Sequence, residues 1–414
     1  MQFSSQPKIF RPRLMEQVVA TKLRQAPAVE IVGSRGCGKS ALAARFSASQ
    51  LQVNANTCPD WATLLKSPAP HQLDEWLLNA KLPLKLAEYL KRESAVGQFL
   101  LTSSALDVHP HALIATLRLR PLSLYESGVS SGAVSLQAWS MGAKLPLMAA
   151  PALAASDYAA LFLRGGLPAA LDLDLRHAVK LAKEQLQRIL DQDLYAFGSR
   201  NFNARKVRLL LRAMARNLGQ SVSGSALKKD IKLIDGGEVE DVTIAAYQAA
   251  FEHILLLDNQ EPFTQPAQCK LRLKRAVKRH FVDPLYACAL LNLNTDKILS
   301  SERLFSRLFA SLCVRDLKIY AELMGAEVRH YLDYQNNAID AVVQLKDGRW
   351  GAINFCLRQQ ECLTAANNLM RINEKIARSG GQAAHAFMVI CAFATASCKV
   401  LPQVPVVPLS MLGA

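Results

Sequence analysis

The sequence predicts an α/β protein of several domains, and three observations carry the prediction. Residues 27–33, PAVEIVG, have the β-branched character of a short strand, end in a glycine-rich turn and lead into KSALAARFSASQ, whose apolar spacing is helical. Strand and helix signals keep alternating downstream. Strands at HQLDEW and GQFLLTSSA enclose the helix LPLKLAEYLKRE, the order expected of a parallel sheet with helical crossovers. The C-terminal part mixes the two periods again: a long helix LFSRLFASLCVRDLKIYAELM, alternating strands within EVRHYLDYQNNAIDAVVQLKDGRWGAINFCL, a helix near 364–377 and a closing strand at 386–395.

Between these parts the pattern is helical. The run from DYAALFLRGGLP to LQRILDQDLYAF, broken at Gly165, Gly166 and Pro168, reads as a helical lid. Residues 205–262 offer three helices, RKVRLLLRAMARNLG, SGSALKKDI and VTIAAYQAAFEHILLL, at the spacing of a winged helix-turn-helix. A loop rich in Pro and Gln (260–268) and a basic, hairpin-like stretch CKLRLKRAVKRHFVDP follow. The expected domains are therefore 1–150, an α/β domain; 151–200, a lid or linker; 201–285, a winged helix-turn-helix with its basic hairpin; and 286–414, a second α/β domain.

A length of 414 residues with 50% apolar content suffices for roughly two to four folded domains. The net charge of +15 and sequence pI near 9.5 suit a polyanionic partner, and equally suit a chain that is merely cationic and soluble. Nine cysteines, an odd number scattered through apolar runs without a paired C-x-x-C spacing, read as reduced, buried thiols rather than zinc ligands. The N-terminal residues lack the apolar core of a signal peptide, and no apolar run approaches the roughly 18 residues that span a bilayer, so a cytoplasmic location without membrane partners is expected.

The strongest local signal is GSRGCGKS, residues 33–40, which fits G-x-x-x-x-G-K-[ST] without mismatch between a predicted strand and a predicted helix. In such a loop Gly33, Ser34, Arg35, Gly36, Cys37 and Gly38 turn backbone N–H groups inward to cradle phosphate, Lys39 reaches the β and γ phosphates, and Ser40 holds Mg²⁺. ATP and Mg²⁺ are thus the expected ligands. In LDEW, Asp74 is expected in the magnesium shell and Glu75 to orient or activate water; the competing reading is an acidic helix start, because SPAPHQL makes a poor buried strand. Thr102, at the end of FLLTSS, is the candidate γ-phosphate sensor.

Arg205, Lys206, Arg208, Arg212, Arg216, Lys228 and Lys229 make DNA phosphate contact conceivable in the three-helix segment, against the plainer reading of a solvated basic face. The same two readings apply to Lys270, Arg272, Lys274, Arg275, Lys278 and Arg279. In DGRWGAINFCLR a turn leads into a buried strand with Asn354 and Cys356 on one side of it.

The P-loop, LDEW, GQFLLTSSA, LRPLSLYESG, FLRGGLP, KRHFVDP, VRDLKIYAE and DGRWGAI occur in an order that resembles the prokaryotic AAA-type P-loop ATPases with a winged helix and a C-terminal domain of unknown function of restriction-endonuclease-like fold. The resemblance runs from about residue 7 to the VPLSMLGA tail. It implies a P-loop NTPase sheet, a Walker B pair at Asp74 and Glu75 and a sensor at Thr102. Departures are informative. Ala112 and Leu113 stand where the family carries Gly-Arg, and Leu77 where it carries Gln, which implies slow hydrolysis; Arg164 in FLRGGLP is a candidate to replace the lost arginine. Against the family's nuclease carboxylates and lysine this chain has Ala310, Ala338, Asn354 and Cys356, with only Asp340 remaining. One carboxylate does not hold a catalytic Mg²⁺, so no nuclease activity is expected.

Three readings stay open on sequence alone: an ATP-binding, slowly hydrolysing switch that repositions its other domains for a protein partner; a DNA-binding regulator or processing accessory using the basic winged helix; and a scaffold without catalysis.

Overall fold

The computed structural model describes residues 11–54, 61–106, 111–196, 202–265 and 269–414; Cys58, the first ten residues and part of the Pro- and Gln-rich loop lie outside them. The chain divides into two units, each assembled from three segments: Met1–Leu122, Gly166–Asn203 and Ala246–Leu257 in the first, and Ser123–Gly165, Ala204–Ala245 and Asp258–Ala414 in the second. Among the described residues, no helix is long and apolar enough to cross a membrane.

The first unit opens with α1 (Glu16–Leu23), β1 (Ala28–Val32), α2 (Lys39–Ala44), β2 (Ser49–Gln52), α3 (Trp61–Leu64), β3 (His71–Asp74), α4 (Leu82–Arg92), β4 (Phe99–Ser103) and β5 (Ile114–Arg118). Its five strands are all parallel, in the order β2-β3-β4-β1-β5. Because β4 lies between β1 and β3, the chain ends following β1, β3 and β4 meet along one edge of the sheet, where open α/β sheets bind ligands. β1 is buried along its whole length, as its AVEIV sequence requires of a central parallel strand. The one acid in it, Glu30, is satisfied by Trp76 Nε1 at 2.9 Å and Thr116 Oγ1 at 3.0 Å. α4 repeats leucine at 82, 86 and 90, one face of a helix, and buries that face with Leu73, Phe99 and Leu101.

β3 forms despite its poor strand sequence. It has a neighbour on each side, and its polar side chains find partners: His71 Nδ1 lies 2.8 Å from Ser49 Oγ, and Gln72 Oε1 accepts from Ser47 Oγ at 3.1 Å. The polar strand β2, SQLQ, gave no strand signal in sequence because only its pairing with β3 makes it one.

The chain then contributes β6 (Val134–Ser135), α5 (Leu136–Ser140) and α6 (Ala155–Arg164) to the second unit and returns to the first with α7 (Leu175–Arg188) and α8 (Leu194–Ala196). The three helices expected in 205–262 are present as α9 (Ala204–Arg216), α10 (Gly224–Asp230) and α11 (Asp241–His253), the last passing from the second unit into the first at Ala246.

The second unit continues with α12 (Pro284–Leu290), α13 (Thr295–Leu299), α14 (Glu302–Leu323), β7 (Glu327–Leu332), β8 (Ala338–Gln344), β9 (Trp350–Cys356), α15 (Cys362–Arg378), β10 (Ala386–Cys391), β11 (Cys398–Leu401), β12 (Val404–Pro408) and β13 (Leu412–Gly413). Six strands form a mixed sheet in the order β11-β12-β10-β9-β8-β7, antiparallel from β7 to β9 and parallel from β9 through β10 to β12. α15 lays Cys362, Ala366, Leu369, Ile372 and Ile376 on one face of that sheet, against Ile339, Trp350, Ala352 and Val389.

Four of the motifs that mark the chain meet in this unit as one buried ion network. Arg315 binds Asp283 at 2.8 Å and Asp316 at 2.7 Å, all three being essentially inaccessible to solvent. Asp316 also accepts from the backbone N–H of Leu124 at 2.9 Å, and Asp283 from that of Leu285, at 2.9 Å. Gly165 fits here because a Cβ would stand 2.8 Å from Asp283 Oδ1 and 2.0 Å from Leu285. Removing one partner of such a network leaves a buried charge uncompensated, at a cost of about 3–5 kcal/mol.

The basic stretch after residue 268 differs from the hairpin expected. Its end at 278–280 pairs with 258–260 through mutual Gln260–Lys278 backbone bonds of 2.9 and 3.1 Å, while the Lys270 backbone N–H donates to Ser379 at 2.9 Å. Its middle lies against the turn between β7 and β8, with the Lys274 backbone N–H donating to Leu332 at 2.8 Å and its Nζ to Asn336 Oδ1 at 2.7 Å.

Candidate functional site

A cavity of about 690 Å³ opens at the edge of the first sheet where β1 and β3 end. Its floor is the loop after β1. Gly36 and Gly38 have φ of 82° and 103°, values side chains rarely tolerate, and this turns the chain tightly enough to start α2 at Lys39. Of the P-loop residues, Arg35, Gly36, Gly38, Lys39 and Ser40 line the cavity. Gly33, Ser34 and Cys37 support it from behind: a Cβ on Gly33 would stand 2.2 Å from the Leu119 carbonyl, and the Cys37 thiol donates to that carbonyl at 3.3 Å.

Lys39 is buried, with Nζ 2.9 Å from Ser104 Oγ, 3.4 Å from the Ser34 carbonyl and 3.5 Å from Glu75 Oε1. Ser40 Oγ donates to Asp74 Oδ1 at 2.7 Å, so the hydroxyl and carboxylate expected to share a magnesium ion are already adjacent. Glu75 sits in the left-handed region at φ 54°, immediately after β3, which aims its carboxylate back across the sheet edge. There it accepts from Ser104 Oγ at 2.6 Å and from the Ser104 backbone N–H at 2.9 Å.

Thr102 lies behind the acidic pair rather than at the cavity surface. Its side chain is fully buried, is not among the residues that line the cavity, and is spent on the acidic pair: Oγ1 donates to Asp74 Oδ1 and accepts the Glu75 backbone N–H at 3.1 Å. Its geometry is that of a residue that fixes Asp74 and Glu75, whereas Ser104 is the neighbour that touches Lys39.

Sequence reasoning missed the opposite wall. α7 brings Leu181, Gln185 and Arg188 to the cavity, and Pro168, Ala169 and Asp172 precede it. Gln185 is buried, packs over Gly36, and its Nε2 has no hydrogen-bond partner among the described residues. The arginines that line the cavity are Arg11, Arg13, Arg35 and Arg188; Arg164 is not one of them. Arg13 donates to the carbonyls of Cys37 and Arg120 at 2.9 and 2.8 Å, which ties the P-loop to the end of β5. Arg35 pairs with Asp193, and the shared hydrogen bonds push the guanidinium pKa further up. Burial raises the Asp193 carboxyl in spite of that partner, so this ion pair is held in a poorly solvated place. Arg188, at the last turn of α7, has no acidic partner among the described residues.

The donor set fits the ligands the motif implies. Hydroxyl and carboxylate oxygens at Ser40 and Asp74 suit Mg²⁺. The unpartnered Gln185 amide, the Lys39 ammonium and a glycine loop suit a phosphate chain.

In the second unit the positions compared with nuclease residues are not brought together. Ala310 and Asp340 line a small cavity of about 140 Å³ together with Phe355, Lys278 and His280. Asn354 and Cys356 lie on the other face of β9, where Asn354 Nδ2 donates to Ala365 of α15 at 3.3 Å and Cys356 Sγ lies 3.3 Å from Cys362 Sγ. Asp340 accepts the Phe355 backbone N–H at 2.9 Å, so its carboxylate serves the sheet. The basic residues of α9 and α10 are largely paired as well: Lys206 with Glu240 at 2.7 Å, Arg212 with Asp235 at 3.3 Å, Arg216 with Asp235 at 2.6 Å and Lys228 with Asp241 at 3.8 Å.

A family model described as a domain of unknown function, DUF8612, matches residues 155–297. No curated protein sequence matches the chain. Among solved structures, the chain is similar to a Walker-type ATPase of Pyrococcus abyssi, at 13% identity and a TM-score of 0.43, over 70% of this chain and 99% of that one. It is also similar to RuvB of Thermotoga maritima at 17% identity and a TM-score of 0.26, over 59% of this chain and 88% of that one. A third similarity is to the Orc1 protein of Aeropyrum pernix in complex with DNA, at 12% identity and a TM-score of 0.26, over 73% and 95% of the two chains.

Proposed function

We propose that the protein binds ATP with Mg²⁺ in the cavity of its first unit and hydrolyses it slowly, as a nucleotide-dependent switch. One observation carries the reading: Lys39, Ser40, Asp74 and Glu75, which come from two separate chain segments, converge on a single cavity behind a tight glycine loop. Lys39 and the loop amides would hold the phosphates, Ser40 and Asp74 the magnesium ion, and Glu75 would take a proton from water. The bound metal would supply neutralisation of phosphate charge.

Slow turnover is inferred from the cation supply. Arg13 and Arg35 are committed to protein partners, and Ala112 and Leu113 offer no guanidinium. For the second unit we propose a nuclease-like fold without nuclease chemistry; the succession α14-β7-β8-β9-α15-β10 supports the fold, and the scattering of Ala310, Asn354 and Cys356 around a lone Asp340 supports the loss. A winged-helix role for α9 to α11 rests on helix spacing, and their paired basic residues do not favour duplex binding as a second reading.

The test is ATP affinity by calorimetry and Mg²⁺-dependent phosphate release for the wild type, Lys39→Ala and Glu75→Gln. Binding should fall by about 100-fold or more in Lys39→Ala, since a charge-assisted phosphate contact is lost. Glu75→Gln should keep binding and lose turnover by about 10²–10⁴-fold. Equal and negligible ATP binding in wild type and Lys39→Ala would sink the proposal.

A further inference from the structure

Away from the nucleotide cavity, the second unit gathers three thiols that sequence spacing did not announce. Cys356 is the last residue of β9 and Cys391 the last of β10, and the two are register partners in neighbouring parallel strands. Cys362 is the first residue of α15, which the intervening turn folds back over the same face. The three Sγ atoms all lie within 4.8 Å of one another, and Cys356 and Cys362 within 3.3 Å. All three are buried, in a cluster otherwise made of apolar side chains such as Ala366, Leu369 and Val389.

Three ligands of one cation at the Zn–S distance of about 2.3 Å stand roughly 3.8–4.0 Å apart, the spacing this cluster reaches with small rotations of its side chains. Cys356 and Cys362 share a thiol hydrogen bond, and beside them the Phe393 backbone N–H donates to the Leu357 carbonyl at 3.0 Å, which fixes the chain beyond β10 against the end of β9. The thiol of Cys391 donates to the Leu357 carbonyl at 3.5 Å and that of Cys362 to the Arg358 carbonyl at 3.7 Å, so both sulfurs sit against the turn that follows β9.

We propose that Cys356, Cys362 and Cys391 form a thiolate site for one Zn²⁺ that joins the ends of β9 and β10 to the start of α15. Sulfur ligands select a soft or borderline cation and exclude Mg²⁺ and Ca²⁺. Between zinc and cuprous ion, charge decides: three thiolates on Zn²⁺ leave one net negative charge in the apolar cluster, on Cu⁺ two. Binding releases the thiol protons to solvent as the three sulfurs bond the ion. Cys398, half-buried, packs against the same cluster. The site is independent of the nucleotide reading.

The full chain, purified under reductant from zinc-supplemented cells and passed over a chelating resin, is assayed for metal content and by X-ray absorption at the zinc edge. One zinc per chain with three or four sulfurs at about 2.3 Å is expected. In Co²⁺ titrations the wild type should give a thiolate-to-metal charge-transfer band that saturates at one equivalent. Cys391→Ala should weaken binding by at least ~100-fold, whereas Cys288→Ala, equally buried in the same unit, should leave it unchanged. Should Cys391→Ala fail to fold, the sulfur shell of the wild-type zinc still decides. A folded wild type that retains no zinc and gives no cobalt–thiolate band, or zinc bound through nitrogen and oxygen alone, overturns the site.

Discussion

Lys39, Glu75 and Ser104 form a closed set of contacts in which a cation, an anion and a hydroxyl satisfy one another. A phosphate entering the loop therefore exchanges one set of partners for another rather than meeting a free ammonium. Arg188, exposed and lining the cavity, has no acidic partner among the described residues. Arg188→Ala should lower ATP affinity or turnover by roughly 10-fold, the value of one charge-assisted contact of about 1.4 kcal/mol, measured by titration and single-turnover phosphate release; an unchanged enzyme would remove Arg188 from the site. At this scale the sequence was most legible where chemistry compresses ligands into a few consecutive positions, as in residues 33–40. It was silent on Gln185 and Arg188, which are ordinary helix residues until α7 delivers them to the cavity.

Elements explain which functional readings failed to assemble. β9 alternates its side chains so that Asn354 and Cys356 face α15 while Phe355 faces the small cavity with Asp340. Sequence alternation placed Asn354 and Cys356 together correctly; it did not reveal that Asp340 falls on the other side, because the β7–β8 pairing is irregular between Arg329 and Tyr331 and shifts the register near it. Where β8 and β9 part, side chains replace ladder bonds: Asp340 N–H donates to Asn354 Oδ1 at 3.2 Å and Asp340 Oδ2 accepts from Phe355 N–H at 2.9 Å. Asp340→Ala should accordingly lower the denaturation free energy by about 1–3 kcal/mol, the cost of a stranded backbone donor, while Asp340→Asn, which keeps an acceptor, should lose less. Equal stability of all three chains in urea would show that Asp340 is not serving the sheet. The β2 strand and the thiol cluster were illegible for the same reason: pairing across chain-distant elements creates them, and no local period reports it.

At the level of the molecule, the second unit carries two histidines held neutral. Burial, aided by Lys318 and Lys278, pushes His280 down to about 3, and burial with Lys278 pushes His330 down to about 4. In the unfolded chain both take up protons near their ordinary value of about 6.5. The unfolded state therefore binds more protons as pH falls through that value, and stability declines from pH 7 towards 4 until the folded groups themselves titrate. The apparent melting temperature should drop between pH 7 and 5, and His330→Gln should flatten the drop whatever its own melting point; a wild-type profile flat across that interval would contradict the burial of both rings. Lys206, Arg212, Arg216 and Lys228 of α9 and α10 are paired with carboxylates, which leaves the formal net charge of +15 itself unchanged.

Each unit is drawn from three separate segments of chain, and this makes the molecule non-modular for anyone who would cut it. A fragment ending at residue 150 keeps the P-loop and both acids but discards Leu175–Arg188, and with it Gln185 and Arg188 from the cavity wall. Such a fragment should bind ATP at least ~10-fold more weakly than the full chain. An excision that preserves the site must instead carry the strands and the later helix on one polypeptide, for example by splicing residues 166–196 directly after 122 with a flexible linker.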